Sequence, residues 1–210
     1  MRNKKNVVKL VVMAMLCGIA IILQAFASFI TIPITNSSPA LSFIPISVGA
    51  ILYGPLAGSV LGFIWSLFIL VSGQASYYMG MNAVGTVIVV VAKGTLAGLA
   101  SGFVYKLFKK KFDTIGMVLA SLVAPLVNSL VYRIGLVVFF SEYFFGKAES
   151  AGQNPVVYFI SAFLVISFLI EVGISAVFSP IIARICRVGR KTLGLEEEAP
   201  VKKELDKEEA

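Results

Sequence analysis

The chain has 210 residues, of which 58% are hydrophobic and only 14% charged, with a mean hydropathy of +0.93. A soluble domain is about 45–50% apolar and about 25% charged, so this composition excludes a soluble enzyme, a disordered chain and a disulfide-stapled secreted domain. The net charge of +7 comes from Lys and Arg gathered in three patches, residues 2–9, 106–111 and 184–207, which hold 15 of the 18 basic residues; that is the bias of basic cytoplasmic segments and not a nucleic-acid signal.

A bilayer-spanning helix needs about 20 apolar residues, fewer where it is partly covered by protein. Residues 7–29 form the first candidate, interrupted by Lys9, Gln24 and small polar residues. Its basic start and its Ala25-Phe26-Ala27 also fit a cleavable signal peptide. The apolar run continues past Ala27 to Ile30, which favours an uncleaved helix. Ala14 and Gly18 lie four apart near its first half, a small-residue groove that either packs in the bundle or receives a partner subunit. Residues 43–53 and 55–71 are the second and third candidates and meet in a tight turn at Gly54-Pro55. The third carries Gly54, Gly58 and Gly62. The fourth, residues 82–107, carries Gly94, Gly98 and Gly102. Spacing of four places each ladder on one face, where a second backbone of the same bundle can approach. Residues 117–140, with Pro125 inside, and residues 157–185 complete the set. Trp65 is read as packing in the bundle or anchoring it.

These candidates predict an all-α membrane protein with six transmembrane helices in a compact bundle. With the amino terminus inside, the outer segments 30–42, 72–81 and 141–156 hold Lys147 alone among the basic residues, and basic ends require an even number of spans. Both termini are therefore placed in the cytoplasm. Residues 1–194 are read as the membrane domain. Residues 195–210 mix Glu and Lys with almost nothing apolar and are read as a disordered cytoplasmic tail.

The chain has no His, which excludes His-ligated metals, His-based triads and His-ligated haem. Cys17 and Cys186 fit no metal spacing and are read as free apolar fillers. A phosphate-binding G-x-x-x-x-G-K-[ST] loop is missing, so the chain does not energise itself with ATP. No metal, cofactor or enzymatic activity is expected. An intramembrane hydrolase would need His or a buried Asp. A stand-alone secondary transporter or channel for a small anionic solute is the alternative, although the sequence shows no convincing repeated halves.

Three charges stay inside the spans: Lys93, Arg133 and Glu171. Each costs about 2.5–3.5 kcal/mol at a helix centre, so such residues face a bundle interior, pair, or mark a ligand path. Counting from the outer ends, Lys93 lies about 16 Å deep, Glu171 about 21 Å and Arg133 about 10 Å. On a helical wheel, Asn82, Thr86 and Lys93 share a stripe, as do Ser121, Asn128 and Tyr132, and Ser167, Glu171 and Ser175. Converging, the stripes would enclose a polar pocket open to the outside. One reading is a Lys93–Glu171 or Arg133–Glu171 ion pair that only fixes the bundle. The other has Glu171 balancing Lys93 while Arg133 meets a small anionic or carboxylate-bearing ligand. The uncharged outer segments add candidates. Residues 30–42 (ITIPITNSSPALS) hold two prolines, and residues 72–81 (SGQASYYMGM) bring Gln74, Tyr77 and Tyr78, as a lid or as ordinary connectors.

Taken together, the six spans, the basic termini, the Ala14-Met-Leu-Cys-Gly18 stretch and Ile44-Pro-Ile-Ser-Val-Gly-Ala-Ile-Leu-Tyr-Gly-Pro-Leu-Ala-Gly58 resemble the substrate-binding S component of energy-coupling factor (ECF) vitamin transporters. The resemblance covers residues 1–192, and Gly54-Pro55-x-x-Gly58 is its most specific part. It implies a prokaryotic plasma-membrane protein that binds a vitamin, docks on one coupling membrane subunit and two ABC ATPases, and topples to release the vitamin inside. It further implies that Ala14 and Gly18 contact the coupling subunit, with Gly standing where the family's motif usually has a second Ala. The region of the second to fourth helices is most similar to pantothenate-type members, whose ligand carries a carboxylate. A riboflavin- or pyridoxine-type member stays open.

Overall fold

A computed structural model describes residues 2–29, 41–164 and 167–194. The expectations placed on residues 30–40 and on the tail 195–210 lie outside the described residues. Among those described are nine helices: α1 (Arg2–Phe29), α2 (Phe43–Tyr53), α3 (Pro55–Val71), α4 (Ser76–Met81), α5 (Ala83–Phe108), α6 (Asp113–Phe139), α7 (Ser141–Ser150), α8 (Pro155–Leu164) and α9 (Ser167–Leu193). Segments Asn6–Phe29, Ala83–Phe108 and Asp113–Phe139 are long and apolar enough to cross a membrane, and α2 and α3 are shorter apolar helices.

The outer segment 72–81, read as a lid or connector, contains the short helix α4, and the outer segment 141–156 contains α7. Phe144 and Ala148 of α7 are buried, and packing of that side stabilises so short a helix. The last apolar stretch, 157–185, is spread over α8 and α9.

Local sequence sets the joints. Gly54 stands at φ 92°, a conformation open to glycine. Pro55 follows as the first residue of α3, where its missing N–H costs nothing. Asn82 caps α5, its Oδ1 accepting from the Gly85 N–H at 2.9 Å.

The two glycine ladders pack against each other. A Cβ on Gly58 would strike the Gly98 carbonyl, one on Gly62 the Gly94 carbonyl, and one on Gly102 the Pro55 backbone. Each step of four along α3 is matched by a step of four back along α5, so the helices run antiparallel with backbones in contact. In lipid there is little hydrophobic drive between helices, so this close packing and its dispersion energy hold the pair together.

One apolar cluster includes Phe43, Ile46, Leu61 and Trp65, and a second includes Val48, Ile51, Met117, Ile182 and Cys186. Leu10, Met15, Ile22 and Phe26 of α1 point outward and are exposed, a face suited to acyl chains rather than water. At the end of the bundle rich in basic residues, Arg190 of α9 meets Asp113 of α6 at 2.7 Å. The Tyr105 hydroxyl of α5 donates to Asp113 Oδ1 at 2.8 Å and accepts from Arg190 Nη1 at 2.8 Å.

Candidate ligand-binding site

The polar residues of α5 divide by depth. At its first turn Asn82 Nδ2 donates to the Phe139 carbonyl at 3.2 Å, and the Thr86 hydroxyl donates to the Asn82 carbonyl at 2.7 Å. Both side chains therefore have local work: Asn82 ties the start of α5 to the end of α6, and Thr86 closes the first turn of α5. Deeper in, the half-buried Lys93 places its ammonium 5.6 Å from the Trp65 ring centroid and 5.4 Å from that of Tyr132. An ammonium over a desolvated aromatic face gains about 2 kcal/mol. Lys93 thus points into the space between α3 and α6.

Tyr132 continues the line. Its hydroxyl donates to the Tyr78 hydroxyl at 2.6 Å. The Tyr78 ring lies edge-on to Tyr77, Tyr132, Phe140 and Tyr143, with centroids 5.3–6.0 Å apart, a geometry that aromatic quadrupoles favour. Burial, helped by the neighbouring Tyr132, pushes the Tyr78 phenol well above its ordinary range, and burial does the same to Tyr143. Both stay protonated, able to donate, through physiological pH.

Arg133 follows Tyr132 on α6 and turns to a different side. With Leu136, Tyr143, Phe144, Lys147, Tyr158 and Phe159 it lines a small, partly open cleft between α6, α7 and α8. Lys147 lies 5.7 Å from the Tyr143 ring centroid. Between Lys93 and this cleft run the contacts of Tyr132, Tyr78 and Tyr143. Glu171 belongs to α9, but its side chain lies outside the described residues. Asn128 is buried in α6, and its Oδ1 has no hydrogen-bond partner among the described residues.

Gln74 is brought in through a residue that sequence reasoning treated only as an interruption. Gln24 of α1 donates from Nε2 to Gln74 Oε1 at 2.7 Å, while its own Oε1 accepts from Ser42 at 2.8 Å and from Trp65 Nε1 at 3.0 Å. The available signal was a lone amide in an apolar span, which must find partners in lipid. On the same helix, Ala14 is exposed, and among the described residues no atom outside the local helix backbone lies within 4 Å of a Cβ placed at Gly18. The bundle leaves that groove unfilled.

A family model described as ECF transporter, substrate-specific component, matches residues 8–183. The chain belongs to this family. It is therefore an S component, a multi-pass membrane subunit that supplies substrate specificity to a transporter and not a member of an enzyme family. A solved structure of ThiT from Listeria monocytogenes is similar over 90% of this S component and 98% of that chain, at 20% identity and a TM-score of 0.66. At that identity the likeness speaks for the fold, an all-helical one that both chains share. Comparison with curated proteins gives no match.

Proposed function

We propose that this S component captures a small carboxylate-bearing molecule of the pantothenate type from outside a prokaryotic cell and delivers it through a coupling membrane subunit and two ABC ATPases. Six membrane crossings with both termini in the cytoplasm are part of this reading, since the basic patches then lie inside. Arg133 meets the carboxylate, and Tyr132, Tyr78, Gln74 and Asn128 supply hydrogen-bonding groups around it. Asn82 and Thr86 hold the rim, and Lys93 is balanced by Glu171. The observation that carries the reading is the continuous path from Lys93 through Tyr132, Tyr78 and Tyr143 to the Arg133 cleft. Cations and hydroxyls lie along it inside a protein that is otherwise apolar. Docking takes place on α1 at Ala14 and Gly18, where the groove is open.

Calorimetric titration of pantothenate into the purified protein tests the reading, together with mass spectrometry of small molecules that co-purify. Arg133→Ala is expected to abolish binding while the protein still inserts and purifies. Unchanged affinity would remove Arg133 from the site. Uptake into vesicles by this subunit alone would overturn the dependence on ATPase partners.

A further inference from the structure

We propose that Gln24 is a positioning residue of the binding site: it holds the Trp65 indole against Lys93 and couples that pair to the 72–75 turn through Gln74. The inference rests on the reading of the Lys93–Tyr132–Tyr78 region as part of the substrate site.

Gln24 is only 4% exposed. Along residues 6–29 of α1 the other buried side chains are Ala20 and Ala27, so one narrow stripe seats this helix on the bundle. Met13, Leu16 and Cys17 also pack against the bundle, but lipid supplies little hydrophobic drive, so directional bonds add to what fixes where α1 sits. Gln24 provides three, to Ser42, Trp65 and Gln74. The orientation of its amide is settled by chemistry: the indole Nε1–H only donates, so the Gln24 oxygen must face it. That leaves the Gln24 NH2 to reach Gln74.

Trp65 is gripped on several sides. Its N–H is bound by Gln24 on α1, its ring tilts at 54° against Phe43 with centroids 5.1 Å apart, and its Cε3 edge lies against Gly94 of α5. The Lys93 ammonium lies over the same ring. Releasing the N–H removes the directional bond that helps set the tilt of the indole, and a change of tilt moves the surface on which the ammonium rests. A residue that merely fastened α1 would change stability and leave the Trp65–Lys93 pair as it was.

Trp65 is the sole tryptophan, so its emission reports this pair without interference. The test uses the full chain purified in detergent, with Trp65 emission and pantothenate affinity measured on the same samples. Gln24→Met, which keeps length but accepts no strong hydrogen bond, is expected to shift the emission and weaken pantothenate binding about tenfold. Lys93→Met is expected to change the emission in the wild-type background and not in the Gln24→Met background. Unaltered emission in Gln24→Met, or altered emission with unaltered affinity, would overturn the proposal. If Gln24→Met does not fold, Gln74→Leu, at an exposed position, carries the test. It should shift the Trp65 emission, and unaltered emission overturns the proposal. If the wild-type protein does not bind pantothenate, the substrate reading fails, and the dependence of the Lys93→Met emission change on Gln24 still decides the positioning role.

Discussion

The hydroxyl of Tyr132 donates to that of Tyr78, and this bond joins a residue of the membrane helix α6 to one of the short helix α4. Tyr78 is held by four aromatic edges as well, so its ring should stay in place without its hydroxyl. Tyr78→Phe is therefore expected to leave the melting temperature within about 2 °C of wild type, since ring packing is kept. It should weaken ligand affinity by about threefold to tenfold, the worth of one hydrogen bond; calorimetry on the purified variant checks both. Single residues of this site differ in how far the sequence discloses them. Lys93 and Arg133 stand out because charge in an apolar span is costly. The stripe through Tyr132 is legible from helical phase, but its meeting with Tyr78 depends on where α4 folds back, which no local pattern encodes. Gln24 reads only as an interruption of the first span, because one neutral amide does not make a stripe.

At the scale of helices, the α3–α5 pair was legible because a four-residue repeat of glycine is a one-dimensional signal of close approach. Which ladder meets which partner is a three-dimensional fact, and here each is the other's partner. Short polar helices such as α4 and α7 carry no comparable signature. The packing yields a contrast between two glycines. At Gly62 a methyl group would meet the Gly94 carbonyl, a backbone atom that cannot swing aside, whereas at Gly18 there is open space. Gly62→Ala is expected to cost about 1–3 kcal/mol as overpacking, seen as a lower melting temperature in detergent. Gly18→Ala should be neutral or slightly stabilising, because alanine is the better helix former. Equal effects at both positions would contradict the antiparallel ladder.

At the scale of the whole molecule, the charged end of the bundle is fastened by Arg190, Asp113 and Tyr105, which join α9, α6 and α5. The pair is partly exposed, 21% for Arg190 and 40% for Asp113, so its worth lies near the upper range of surface pairs. Asp113→Asn is expected to cost about 1 kcal/mol, or about 2–4 °C in melting temperature for a chain of this size, with the difference shrinking in high salt.

The opposite demand falls on α1, which has to keep its own seat on the bundle while offering a free face. Its buried stripe of Ala20, Gln24 and Ala27 turns toward the bundle, and Ala14 and Gly18 lie away from those contacts on the half of the helix nearer the basic terminus. Filling the groove should therefore separate two activities that a folding defect would remove together. Gly18→Leu is expected to fold, purify and bind ligand with wild-type affinity, because its side chain enters empty space and touches nothing in the site. Ligand uptake in cells that carry the coupling subunit and ATPases should fall by at least tenfold, since the bulk keeps a second helix from close approach. Normal uptake by Gly18→Leu would place the docking face elsewhere on the bundle. Loss of both binding and uptake would mean that α1 shapes the site directly.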